Sequence, residues 1–417
     1  MPTKRDLERR PDQACARRVD WAPQQFVKIT MPTNSLNDRS TRLGWLTREL
    51  KKAYVDARRD KTKKAEVEKF DKIAKSELVA LAQEIHTRTY TPRPSTAFIV
   101  NKPIQREIFA AAFRDRVVHH FLFNQVSSWW DARFIDDSYS CRLGKGTLYG
   151  IRRLDHHIRS VSRSYTQPAY VLKLDMQGYF MSLERKKLYQ RVMWGLNRQF
   201  PDKGYAYQLC KFLWKIVIFN DPLNEVVFNC PYSAWKGLPP SKSLFHQPKG
   251  RGIAIGNLTS QLLSNIYLDQ LDRFVTLDLG FKHYGRYVDD FYIVSSDKNE
   301  LVEVTRTIER YVEDRLSLKL HPHKRHLQEC NRGVAFLGAV VYPFRIHPGK
   351  RLKRNLLVAL SSKDCPEATE ASYRGLVKHY KHKKLLGGLK RGGGTITVCF
   401  AWCKLGNAWW QLLLVTR

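Results

Sequence analysis

A chain of 417 residues with 43% hydrophobic content can bury a core shared by two or three packed subdomains. It holds no run of about 18 uncharged apolar residues and its first thirty residues are charged, so neither a membrane span nor a secretion signal is indicated and a cytosolic setting is expected. The 72 Lys and Arg outnumber the 39 Asp and Glu by +33, far beyond what solubility needs, and point to a polyanionic partner rather than a membrane.

Eight cysteines, at positions 15, 141, 210, 230, 330, 365, 399 and 403, contain no C-x-x-C pair and read as reduced, mostly buried thiols, including Cys399 and Cys403 one helical turn apart.

Residues 1 to 40 are polar, carry four prolines and follow no sustained period, as expected of an N-terminal arm. Residues 43 to 85 predict two helices, with Leu46, Leu50 and Tyr54 on one face of the first and Val67, Phe70 and Ile73 opening the second. The basic run between them reads as a solvated face. Residues 91 to 103 read as extended chain broken by proline, and 106 to 126 as strand followed by helix. Then Tyr170, Leu172 and Leu174 alternate in a short apolar run that ends on Asp175, a half-buried strand with a carboxylate at its tip.

A helix is expected over 183 to 196 and a long amphipathic one over 257 to 279, entered through a loop holding Gly252 and Gly256. Residues 284 to 295 predict strands on both sides of Asp289 and Asp290, hence a hairpin. A helix over 301 to 316, a strand near Leu318 and another through 334 to 341 follow. Beyond Arg345 the chain reads as helical and basic, with fifteen Lys or Arg against three acids and a glycine cluster at Gly387, Gly388 and Gly392 to Gly394.

Two adjacent acids within the apolar stretch Tyr287-Val288-Asp289-Asp290-Phe291 are costly unless something compensates them. At a hairpin tip, with Asp175 from a neighbouring strand, they would complete an oxygen cage for Mg²⁺. Two such ions lower the pKa of an attacking 3′-hydroxyl and stabilise departing pyrophosphate. His321, His323 and His326 fit neither a zinc-finger spacing nor an H-E-x-x-H helix.

Leu174-Asp175-Met176-Gln177-Gly178-Tyr179-Phe180 and Tyr287 to Asp290 resemble the two aspartate motifs of the reverse transcriptase palm. The resemblance implies an α+β right hand without an RNase H domain: arm 1–40, fingers 41–167, palm 168–344 with some fingers elements, and a basic helical thumb and C-terminal segment 345–417. It implies that Asp175 and Asp289 hold two Mg²⁺ ions, replaceable by Mn²⁺, with Asp290 more peripheral and Met176 contributing to the metal and nucleotide sites. Phe180 matches the aromatic gate that selects deoxynucleotides. Lys102 and Arg106 resemble the clamp on the triphosphate, and Lys324 the general acid for pyrophosphate.

In Phe113 to His120, Arg114 and Arg116 either touch template phosphates or pair with Asp115. The stretch from Ser138 to Thr147 resembles the template-holding loop, with Arg142 and Lys145 as its basic contacts, and Phe336-Leu337-Gly338 looks like the turn that grips the primer end. Residues 372 to 384 would lie along the template–primer duplex, bound mainly through its backbone.

Ile255-Gly256-Asn257-Leu258-Thr259-Ser260-Gln261 narrows the resemblance to diversity-generating retroelement reverse transcriptases, over residues 43 to 385, and marks Ile255, Gly256 and Gln261 as nucleotide-site residues. That resemblance implies copying of a template-repeat RNA into cDNA with errors at template adenines, for mutagenic retrohoming. The implied partners are the RNA, the RNA–DNA hybrid, deoxynucleoside triphosphates and a small basic oligomeric accessory protein, in a prokaryotic or phage-encoded cytoplasmic setting. A group II intron-like or antiphage defence enzyme and a non-catalytic RNA-binding scaffold stay open as alternatives; the intact aspartates argue against the scaffold.

Overall fold

The computed structural model describes residues 39–101, 104–361 and 366–380. Expectations for residues 1–38, Lys102 and Pro103, 362–365 with Cys365, and 381–417 lie outside the described residues. The chain divides into two units, Met1–Arg42 and Leu43–Arg417, and the second holds every element below except the first turn of helix α1.

Helices α1 (Arg39–Arg58) and α2 (Ala65–Thr87) precede strands β1 (Ser95–Val100) and β2 (Arg106–Ala110) and helices α3 (Phe113–Asp131) and α4 (Thr147–Val161). Strand β3 (Tyr170–Leu174) leads to one helical turn, α5 (Tyr179–Ser182), then to α6 (Arg185–Gln199), α7 (Tyr205–Phe219) and strand β4 (Val226–Phe228). Helix α8 (Leu258–Arg273), strands β5 (Tyr284–Tyr287) and β6 (Asp290–Ser295), and α9 (Lys298–Leu316) follow. Strands β7 (His326–Glu329), β8 (Val334–Phe336), β9 (Ala339–Tyr342) and β10 (Arg345–Pro348) come before helices α10 (Lys350–Ser361) and α11 (Glu367–Val377).

The central sheet has the order β5-β6-β3-β7, all neighbours antiparallel. Helix α4 lays Ile151, Leu154 and Ile158 on Val171, Tyr292 and Val294 of that sheet, and the β8–β9 hairpin closes the same core with Phe336 and Val341. A second sheet, β2-β1-β4, joins an antiparallel hairpin to a parallel strand. Glu107 ties this sheet to the turns before α8: its fully buried carboxylate accepts from Trp235 Nε1, Ser243 Oγ and the Leu244 amide at 2.6–2.8 Å.

Five expectations change. Residues 257 to 279 do not form one amphipathic helix; α8 ends at Arg273, a π-helical turn covers Phe274–Asp278, and α8 is buried nearly all round, Ser264, Asn265, Asp269 and Asp272 included. Near Leu318 there is a single bridge from Leu320 to Met176, and the strand lies later, at β7. Residues 334 to 341 form two strands turning at Leu337 and Gly338, and Arg345 begins the strand β10 before any helix. Ile73 is exposed, whereas Val67 and Phe70 are buried. Of the described cysteines, Cys210 and Cys330 are buried and Cys141 is exposed.

Two features lock β5 in place. Gly285 lies against the Tyr139–Tyr292 hydroxyl pair, which are 2.8 Å apart, and a Cβ there would stand 2.2 Å from Tyr139 Oη. Next to it, fully buried Arg286 donates from Nε and Nη2 to the two oxygens of fully buried Asp272, each at 2.6 Å. We expect Gly285→Ala to cost about 1–3 kcal/mol by overpacking, read as a lowered urea midpoint. Asp272→Ala should cost more, about 3–5 kcal/mol, because it strands a buried guanidinium; an unchanged midpoint in the same titration would contradict the assignment.

Candidate active site

Leu174 of β3 pairs with Phe291 of β6, which brings the following residue, Asp175, level with Asp290 at the head of β6. Asp289 stands in the β5–β6 turn, closed by the Tyr287–Asp290 pair. The three acids singled out in the sequence therefore meet at one end of the central sheet. Lys324 Nζ donates to Asp175 Oδ1 at 2.9 Å.

Burial, reinforced by the charge of Asp175, pushes the Asp289 carboxyl up to about 7. Burial also lifts Asp290 to about 6, against the pull of Lys173 and Lys324. Three carboxylates facing two ammonium groups leave negative charge uncompensated, and hard oxygen donors of this kind suit Mg²⁺. One Asp175 oxygen is turned to Lys324, and no group of three or more His, Cys, Asp or Glu among the described residues is gathered closely enough to hold an ion as it stands. Met176, beside Asp175, is buried and bridges Leu320, while the Asp175 carbonyl accepts from the His321 amide at 2.7 Å.

The turn itself is strained. Val288 has φ +57°, a left-handed conformation that a β-branched residue rarely adopts. Two groups from outside the turn hold it: the Val288 amide donates to Ser140 Oγ at 3.1 Å, and Arg286 Nη1 donates to the Val288 carbonyl at 2.8 Å. Ser140 is fixed in turn by Asn265 of α8, whose Nδ2 donates to its carbonyl at 2.9 Å. Sequence reasoning missed this support. Ser140 lay in a stretch noted for its basic residues, and Arg286 directly precedes the tyrosine of the motif, but neither neighbour is visible without the fold.

The candidate nucleotide residues surround the loop before α8. The Ile253 amide donates to the Phe180 carbonyl at 2.9 Å, and the Phe109 amide to the Ile255 carbonyl at 3.0 Å, so residues 253 to 256 are laced between α5 and β2. Asn257 Oδ1 adds a bond from the Ala111 amide at 3.1 Å. Gly256 has φ +126°, and a Cβ there would come within 3.0 Å of Ile108 and 3.3 Å of the Phe109 carbonyl, which accounts for the glycine. Half-buried Ile255 packs against the Ala97, Phe109, Met181 and Leu244 cluster. Phe180 is half-buried beside Tyr179, and Gln261 is half-buried in the first turn of α8. Arg106 is exposed at the head of β2; burial raises the Tyr287 phenol above its ordinary range, and Arg106 is near enough to pull it down.

The candidate template residues carry a correction. Arg116 is paired with Glu66 at 2.6 Å and with the Ala111 carbonyl at 2.8 Å. Arg114 binds Glu77 and Glu84, and Asp115 accepts from Tyr90 and the Arg93 amide, so the Arg–Asp115 pairing does not form. Arg142 is spent on Asp131 and on the Ile135 and Ser138 carbonyls, and Lys145 on Asp136. These groups staple their own loops, and a phosphate contact would have to break those bonds first. Phe336 packs edge-on against Tyr292, with Leu337 and Gly338 forming the β8–β9 turn.

The described residues include no helix long and apolar enough to cross a membrane. Over 296 residues the chain is 23% identical to Protein YkfC of Escherichia coli strain K12, covering 63% of this chain and 70% of that protein. Among solved structures it is similar to telomerase from Candida albicans in complex with a fragment of telomeric RNA, at 12% identity and a TM-score of 0.44, covering 73% of this chain. The corresponding Candida tropicalis complex gives 12% identity and a TM-score of 0.43, over 75% of this chain. The chain spans about 58% of the length of either telomerase chain. The family described as reverse transcriptase (RNA-dependent DNA polymerase) matches residues 105–341, more than half of the sequence. With that match the α+β fold is a right-hand polymerase fold, and the chain belongs to the reverse transcriptase family of RNA-directed DNA polymerases.

Proposed function

We propose that Asp175, Asp289 and Asp290 are the catalytic carboxylates of this RNA-directed DNA polymerase. The observation that carries the reading is the convergence of the β3 end with the β5–β6 turn, at a cluster of three half-buried acids that outnumber the ammonium groups facing them. Divalent ions bound there, Mg²⁺ in the first instance, would supply Lewis-acid stabilisation of the attacking 3′-oxygen and the departing pyrophosphate. Lys324, held at the edge of the cluster by Asp175, is the group to hand a proton to the pyrophosphate. Arg106 and Lys102 orient the triphosphate, Phe180 excludes a 2′-hydroxyl, and the Phe336 to Gly338 turn supports the primer end. Fingers to residue 167, palm over 168–344 and thumb from 345 is the division that goes with this assignment.

Within the family the chain diversifies sequence: it copies a template-repeat RNA into cDNA with errors at template adenines, aided by a small basic accessory protein. The residues Ile255 to Gln261 support this reading, with Ile255 in the loop whose Ile253 amide donates to the Phe180 carbonyl. An aliphatic side chain offers no amide to hold the nucleotide, and one lost neutral hydrogen bond contributes about 1 kcal/mol, or roughly fivefold. That is too little to set adenine selectivity alone, so other contacts or the RNA's own structure share in it.

Asp289→Ala should abolish primer extension on an RNA template while leaving the thermal midpoint at or above that of the parent, since it removes a raised carboxyl; retained extension would reject the assignment. Sequencing cDNA made by Ile255→Gln on an adenine-containing template should show a several-fold lower error rate at adenine, and an unchanged rate would take Ile255 out of the account.

A further inference from the structure

The far end of α8 from the Ile255 loop, about 22 Å along a helix of this length, meets a concentration of positive charge. Arg191 and Arg198 of α6 lie 4.0 and 4.1 Å from the ring of Trp194, and Arg133 lies 4.4 Å from Trp129 and 5.6 Å from Trp194. Arg273 joins them, donating from Nη2 to the Arg133 carbonyl at 2.5 Å. The acid within this group is Asp269, itself buried, which takes Arg191 at 2.6 Å and Arg273 at 3.1 Å. Arg133 and Arg198 pair with no carboxylate among the described residues, and the Nε atoms of Arg133 and Arg191 are buried without an acceptor.

Arginine stacked on tryptophan is common as a packing device and contributes about 0.5–1 kcal/mol where exposed. Packing alone does not explain four guanidiniums gathered around one carboxylate, since like charges at this spacing repel. Burial, and then Arg273 and Arg198, pull the Arg133 guanidinium below its ordinary range. Such a group is stabilised by an external anion.

The indoles hold the guanidiniums flat, and the outer N–H groups of exposed Arg198 and half-buried Arg133 meet no carboxylate among the described residues, which leaves donors of the kind phosphate accepts. The face also continues into the stretch from Ser138 to Thr147: Trp130 stacks on Phe134 at 5.9 Å, and Arg142 lies 5.6 Å over Phe134.

We propose that the face built from Arg133, Arg191, Trp194, Arg198 and Arg273 binds backbone phosphates of single-stranded RNA, separately from the carboxylate cluster. RNA is favoured over an acidic protein because the family acts on RNA and because stacked, planar guanidiniums match phosphate. Contact through the backbone makes the binding indifferent to base sequence and sensitive to salt.

The test uses the full chain and a fluorescent oligouridylate of about 12 nucleotides, titrated across a salt series. Arg133→Ala with Arg198→Ala should weaken binding at least tenfold, as expected for two charged contacts. It should also lower the slope of log affinity against log salt by about 1.4, at roughly 0.7 per phosphate contact. Extension of a short pre-annealed primer should stay at the parent level. Should the double variant lose extension as well, exposed Arg198→Ala alone decides, with a slope change of about 0.7 expected. Parent-like affinity and slope in that variant overturn the proposal, as does loss of oligoglutamate binding with RNA binding intact, which would assign the face to an acidic protein.

Discussion

The buried pair between Asp272 and Arg286 is the constraint on which the site geometry depends. A guanidinium and a carboxylate with no solvent exposure are tolerable only when every donor and acceptor is matched. Here Tyr284 Oη adds a third bond to Asp272 at 2.7 Å, and the remaining Arg286 donors reach Val288, Asn265 and Ser138. One charged hub thus joins the end of α8, strand β5, the strained turn and the segment before α4. Hydrophobic packing sets the distance between these elements but leaves their rotation free; the directional bonds of the hub fix the rotation.

The same economy governs many other basic residues. A net charge of +33 suggests a surface crowded with free cations, yet Arg114, Arg116, Arg142 and Arg286 each have internal acceptors. They organise loops and helices first. The positive charge left for a polyanion is concentrated where cations outnumber acids, as around Trp194, where Asp269 faces four arginines, and composition alone does not reveal that partition.

What the sequence made legible was local. Alternating apolar residues ending on Asp175, and apolar runs flanking Asp289 and Asp290, specify strand tips regardless of context, and the sheet register brought those tips together. The helical stretches before β1 and after β6 also follow from periodicity. Features that depend on distant neighbours were not legible. Strand β4 pairs with β1 across more than a hundred residues, and nothing in three residues announces a parallel partner. The near-complete burial of α8 hides behind polar residues such as Asn265 and Asp272, which read as an outer face until their partners are known. The β8–β9 turn was seen as a recognition feature and not as a break in a strand, because an eight-residue apolar run is compatible with either.

Val288 carries a consequence for how this motif can be moved or varied. Its left-handed backbone is imposed by Ser140 and Arg286, not favoured by valine, so the shape of the turn is encoded in two segments outside it. Grafting the four residues from Tyr287 to Asp290 onto another sheet would carry over the acids without their orientation. Conversely, a one-residue insertion just ahead of Ser140 would let the tip relax while leaving the aspartate motif letter-perfect, so an intact motif in a relative is an insufficient sign of a competent palm.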